Sequence, residues 1–377
     1  MRCCYRVGLV TLFCFLFSAL PLRADDTAFE AFLDKAAEDK DFVGLAVAVV
    51  RDGQVTLMKT YGTRTVTASA PVDARTRFRI ASLSKGFAGS LTGQLIAEQK
   101  ISLDDKAVSY APNFRLQGQR QSKATLEHVL SHRLGLPPYA YDNLLEAGVA
   151  PNTILNRFGE VKPICGVGSC YAYQNVGFNM VASAIEKADG VAYRDAMRAR
   201  LLVPLGLNDT SLTRAGLQRD DNWARPHRRR RGQSWRATDV KQPYYDVPAA
   251  GGINASIADM AVWLSAQMGY APDVLSPSVL SLIHTPRTNT PAELRRLRLM
   301  ARVTKAEYGL GWRIYDFAGE TLINHAGSVN GYAAQIAFLP DRDVGIVMLS
   351  NARSRTFWTL LPTFLDLELG YGLREFD

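Results

Sequence analysis

The chain has 377 residues, 47% of them hydrophobic and 21% charged, an ordinary globular composition that excludes a disordered or fibrous polypeptide. Its formal net charge of +8 is a mild excess. No basic stretch is interleaved with aromatics on a nucleic-acid-binding scaffold, so nucleic acid is not an expected partner.

The first 24 residues have a texture of their own. MRCCYR is basic, Val7 to Leu20 is apolar, and LPLRA leads into Asp25-Asp26. That order predicts a signal peptide cut after Ala24 and an exported, periplasmic protein. The alternative is an uncleaved N-terminal anchor, although 14 apolar residues fall short of the about 20 that span a bilayer. Loss of Arg2, Arg6 and Arg23 lowers the net charge to +5. Cys3, Cys4 and Cys14 leave with the leader, and Cys165 and Cys170 remain. Two cysteines five apart in an exported chain point to a disulfide closing a small loop, contributing about 2 kcal/mol. A zinc site is disfavoured, because no second Cys or His pair accompanies them.

Thr27 to Lys40 has helical spacing, with Phe29, Phe32, Leu33 and Ala36 on one face. Gly44 to Tyr61 reads as a hairpin turned at Asp52-Gly53. A helix is expected from Ser82 to Gln99, then helical segments near 125–131, 140–156, 175–189, 191–202 and 256–268. From Tyr308 four strands are expected, 308–316, 321–327, 331–340 and 344–351, with punctuation at 318–320, 328–330 and 341–343. A last helix is expected at 354–369. Strands at both ends and helices between predict one sheet (about 25–80 and 300–377) carrying a helical lobe (about 82–300).

Three stretches carry candidate chemistry. Ser82 and Lys85 stand at i and i+3, one turn apart, where a buried lysine of lowered pKa activates a serine nucleophile. A helix start also offers backbone N–H groups to an oxyanion. The plain alternative is a serine helix cap. Tyr173-Gln174-Asn175 pairs a proton shuttle with an amide that bonds both a carbonyl and a lysine. His325-Ala326-Gly327 ends a strand in small residues that leave room for a substrate backbone, with His325 as donor or cation for a carboxylate. His128 and His132 have the i, i+4 spacing of a metal pair but lack a third ligand, and are read as structural.

In this order the three stretches resemble the penicillin-recognising serine hydrolases: class C β-lactamases, D-alanyl-D-alanine carboxypeptidases and related esterases. Smaller matches lie at 125–137, 204–212, 248–264 and 308–312. The resemblance implies an α+β fold: a mostly antiparallel sheet flanked by helices, with an inserted α-helical lobe. It implies that Ser82 forms an acyl-enzyme and that Lys85 and Tyr173 share the acid and base work. Asn175 would orient substrate with His325, Ala326 and Gly327, and the N–H groups of Ser82 and Ser328 would form the oxyanion hole. Neither cofactor nor metal is implied. The substrate would be a D-alanyl peptide or a β-lactam. A carboxylesterase or a penicillin-binding sensor with little turnover are the alternatives.

Class C β-lactamases typically have lysine where His325 stands and glycine where Ala81 stands; histidine there is more like certain D-alanyl carboxypeptidases and D-amino-acid peptidases. Gln174 replaces the usual serine, and Arg133-Leu134 a small polar pair. The run Arg228, Arg229, Arg230 and Arg231 is read as a solvated loop that could touch an anionic envelope surface.

Overall fold

The computed structural model describes residues 24–38, 41–230, 232–297 and 302–373. The leader expected at 1–24 lies outside the described residues up to Ala24, as does Arg231. Strands β1 (Gly44–Arg51), β2 (Gln54–Thr65) and β3 (Ala68–Pro71) come early in the chain. Strands β4 (Thr288–Asn289), β5 (Val303–Tyr308), β6 (Arg313–Phe317), β7 (Glu320–Val329), β8 (Tyr332–Leu339) and β9 (Val344–Ser350) come late. The described residues form one nine-stranded sheet ordered β3-β2-β1-β9-β8-β7-β6-β5-β4. Each neighbouring pair is antiparallel. The two chain ends meet at its centre, where Leu45 pairs with Ser350 and Arg51 with Val344.

GLAVAVV is apolar throughout because β1 is buried on both faces. Leu45, Val47 and Val49 pack with Phe29 and Leu33 of the Ala24–Glu38 helix and with Phe357, Leu360 and Phe364 of the Phe357–Glu368 helix. Ala46, Ala48 and Val50 face the larger core under the helical lobe. Each fully buried Val, Leu or Phe contributes about 1.5–3 kcal/mol. The ends of these layers are pinned by Arg51, which donates to Asp26 (Nε to Oδ1, 3.1 Å) and to Glu368 (Nη1 to Oε2, 2.9 Å). No described helix is long and apolar enough to cross a membrane.

Several sequence-based boundaries move. The strand expected at 308–316 is two strands, β5 and β6, joined at Gly309–Trp312. Gly311 explains the break: its φ is +87°, and a Cβ there would lie 2.3 Å from the Lys85 carbonyl oxygen. The turn is pressed against the Ser84–Ala97 helix, and only glycine permits that approach. The stop expected at 328–330 also moves. Ser328 and Val329 belong to β7, and the turn is Asn330–Gly331, both at positive φ, the two-residue hairpin turn that suits strand twist. The helix expected at 140–156 is divided into Asp142–Glu146 and Pro151–Arg157. The helix expected at 175–189 starts only at Met180. His227–Arg228 is not a loop but pairs with Arg236–Ala237, and His227 is buried.

Candidate active site

Ser82 lies where sheet and helical lobe meet. The helix expected from Ser82 begins at Ser84, after a 3-10 turn over Ala81–Leu83, and no side chain caps it. Ser82 is therefore not a cap. Ala81 has φ +49°, a left-handed conformation that costs an alanine on the order of 1–2 kcal/mol and a glycine almost nothing. Ser84 holds this elbow in place. Its buried hydroxyl donates to the Ala81 carbonyl (2.7 Å) and accepts from the Ile253 N–H (3.1 Å).

Lys85 is fully buried. Its Nζ donates to Asn175 Oδ1 at 2.8 Å and to the Ala250 carbonyl at 2.9 Å, and lies 4.5 Å from the Tyr173 ring centroid. Burial pushes its pKa well below 10.5; Asp142 opposes that shift and Arg313 adds to it. A neutral amine has two N–H groups, and both have partners here, so its lone pair is left to accept a proton. Asn175 bonds the lysine as expected, but its Nδ2 donates to Asp142 Oδ2 at 2.6 Å and not to a carbonyl. Burial raises the Asp142 pKa, offset in part by that hydrogen bond.

Tyr173 hydrogen-bonds Ser82. Burial pushes its phenol well above 10; Arg313 and the Ser82 hydrogen bond pull the other way. Burial thus favours the uncharged form of both groups, the amine and the phenol. The Tyr173 backbone is held on both sides: its carbonyl accepts from Tyr139 N–H (2.8 Å), and the next N–H, of Gln174, donates to His132 Nδ1 (3.1 Å). The His132 ring lies 4.3 Å from the Tyr173 ring. Cys165 and Cys170 are bonded. Their loop is zipped to the 133–135 backbone through Gly168 N–H to Arg133 O (2.8 Å) and Ile164 N–H to Gly135 O (2.9 Å).

β7 brings its residues edge-on to Ser82. A Cβ on Gly327 would lie 2.5 Å from the Ile80 carbonyl oxygen and 3.0 Å from Ser82 N, so a glycine is required there. Ala326, Gly327 and Ser328 line one cavity of about 520 Å³ with Ser82, Tyr173 and Asn175. His325, expected as a donor or a cation for a carboxylate, does not line this cavity. It is 1% exposed, and burial, followed by Arg313 and Lys85, pushes its pKa well below 6.5. Its Nδ1 meets the Ala326 carbonyl (2.9 Å), which only accepts, so Nδ1 carries the hydrogen and Nε2 accepts from the Tyr308 hydroxyl (3.1 Å). His325 is a neutral post behind the strand.

Arg313, on β6, lines the cavity together with Arg296 and Arg353. It pairs with Glu293 at 2.9 Å, and its Nε has no hydrogen-bond partner. Burial opposes its charge, but Tyr315, Tyr171 and Glu293 outweigh that and keep it a guanidinium. Sequence reading missed Arg313, Asp142 and the positioning role of His132. The only signal was one arginine inside a stretch read as a continuous strand.

An antiparallel sheet with a helical lobe, and a serine, a buried lysine and a tyrosine gathered at their junction, are the arrangement of a serine hydrolase. A family model described as Beta-lactamase matches residues 29–367, and the chain belongs to that family. It is 23% identical to a beta-lactamase of Escherichia coli (strain K12), over 94% of this chain and 97% of that one. It is 26% identical to an unguisins hydrolase of Aspergillus campestris, over 82% of this chain but only 58% of that one. Among solved structures it is similar to the octameric penicillin-binding protein homologue from Pyrococcus abyssi. The TM-score is 0.79 at 25% identity, covering 91% of this chain and 77% of that one.

Proposed function

We propose that this protein is an exported serine hydrolase that opens D-alanyl peptides, or the β-lactams that mimic them, through an acyl-enzyme. One observation carries the substrate class. A guanidinium, Arg313, lines the cavity that holds Ser82, and sits across from β7 at Asn324, its paired residue. A substrate backbone laid along Ala326–Ser328 would direct a C-terminal carboxylate towards it, sharing or displacing Glu293. Ser82 Oγ attacks the carbonyl, and its proton passes to Lys85, directly or through Tyr173. The N–H groups of Ser82 and Ser328 hold the oxyanion. Collapse breaks the carbonyl–nitrogen bond, the leaving amine takes a proton from the Lys85–Tyr173 pair, and water then frees the enzyme.

The test is a panel of three substrates: a D-alanyl-D-alanine peptide, a penicillin and a p-nitrophenyl ester. Release of D-alanine is expected. Ester hydrolysis without it would favour the carboxylesterase, and acylation without turnover the penicillin-binding sensor. Export is supported by the basic, apolar, small-residue order of the N-terminus and by the Cys165–Cys170 bond. N-terminal sequencing of the extracytoplasmic fraction is expected to begin at Asp25; an intact leader in the membrane fraction would point to the anchor instead.

A further inference from the structure

The catalytic cavity opens into a second groove of about 680 Å³, and the two share Tyr244, Ser328, Val329 and Arg353. The groove continues past the end of β7 to the Asn330–Gly331 turn. Five cations line it, Arg228, Arg229, Lys241, Arg353 and Arg355, against one carboxylate, Glu146. Arg229 is paired with Asp41 and lies 4.4 Å over Trp235, Arg228 donates to Asn330 (3.1 Å), and Glu146 accepts from the Tyr244 hydroxyl (3.0 Å). Among the described residues Lys241, Arg353 and Arg355 have no ion-pair partner, and all three are exposed.

A sixth cation lies behind the groove wall. Arg79 is 0% exposed, its Nη1 donates to the Lys241 carbonyl (3.1 Å), and its guanidinium sits 4.1 Å over the Tyr245 ring. Its Nε and Nη2 have no hydrogen-bond partner, and burial lowers its pKa, with Tyr245, Tyr332 and Tyr244 opposing that shift. A buried cation with no counter-charge is costly. With five cations against one carboxylate in its lining, the field of the groove is positive.

Direction along β7 says which part of a substrate this field meets. Arg313 marks the leaving-group end, near Asn324, and the groove begins at the other end, at Ser328. We propose that the groove is the acyl-side extension of the active site and takes a carboxylate-bearing acyl portion of an extended peptide substrate. The proposal rests on the peptide reading above for its direction, and its test separates the two.

Two D-alanyl-D-alanine peptides of equal length, capped with succinyl or with butanoyl, differ by one carboxylate. Their binding to the Ser82→Ala protein is measured by calorimetry, so that no turnover is needed. The succinyl peptide is expected to bind about 10-fold more tightly at low salt, with the ratio shrinking in about 0.5 M salt. In a Lys241→Gln/Arg355→Gln double variant the ratio is expected to fall to about 2 or below. No binding of either peptide, a ratio near one, or a ratio unchanged in the double variant overturns the assignment. Loss of binding to phosphatidylglycerol vesicles in that variant, with the peptide ratio intact, would assign the cations to a surface and also overturn it. D-alanine release by the wild-type protein is scored separately. Its absence with the ratio intact sinks the hydrolytic reading and leaves the groove; release with no preference sinks the groove alone.

Discussion

Ser82→Ala is expected to abolish covalent labelling by a fluorescent penicillin and by a fluorophosphonate, and to lower turnover by on the order of 10⁴-fold or more. The change removes one oxygen and leaves the elbow standing, because the Ser84 hydroxyl holds the Ala81 carbonyl and the Leu83 N–H donates to the Ile80 carbonyl, neither through the Ser82 side chain. Persistent labelling would remove Ser82 from the nucleophile's place. Lys85→Met preserves the bulk of the buried side chain without its base, and about 10³-fold loss is expected. Tyr173→Phe retains the ring beside Lys85 and His132 and loses only the hydroxyl, so about 10²-fold is expected. The pH profile distinguishes these roles. Burial holds Lys85 well below 10.5, so kcat/KM climbs as pH rises through that lowered value and the amine loses its proton. The acid limb should vanish in Lys85→Met and persist in Tyr173→Phe; the reverse would exchange the two roles.

Acidification is expected to unfold the protein unusually early. The chain has five histidines, and the fold lowers the pKa of each one, with burial the largest cause at each. His284 is pushed down to about 3, and His132 and His325 lie well below 6.5. Above about pH 6.5 neither the folded nor the unfolded chain protonates them, and stability is untouched. Below it the unfolded chain takes protons that the folded chain refuses. Each such histidine then costs about 1.4 kcal/mol per pH unit until its folded pKa is reached. The three strongest together cost about 4 kcal/mol per unit, against a total stability of about 5–15 kcal/mol. Asp142 and Asp259 have raised pKa values, which works the other way and offsets part of the loss. Urea midpoints measured from pH 7 to pH 4 are expected to fall steeply below about pH 6.5. His284→Gln, which can still bond Gln267, is expected to lower the slope by about one proton. Stability that stays flat down to pH 4 would sink the argument.

The chemistry at the nucleophile was legible because it is local. Ser82 and Lys85 are neighbours along one turn, Tyr173 and Asn175 are two apart, and Ala326-Gly327 must be small where β7 passes Ser82. That one sheet is built from both ends of the chain was legible from the strand texture near Gly44–Tyr61 and after Tyr308, while the pairing of β1 with β9 at its centre was not. Boundaries were lost where packing overrides local pattern. Gly311 turns because Lys85 occupies the space beside it, and the 175–179 segment stays non-helical while Asn175 and Asn179 are bonded to Lys85 and Ala249.

Sequence alone determined the α+β class and the order of the three candidate stretches, and pointed to Ser82, because backbone geometry and residue chemistry act over a few positions. Tertiary structure decided the charges. It buried Lys85 and lowered its pKa, buried His325 against Tyr308 and lowered its pKa too, and brought Arg313 into the cavity. It also set Arg228, Lys241 and Arg355 around one groove. Burial and long-range proximity set each of these charges, and neither is written in the neighbours of a residue along the chain.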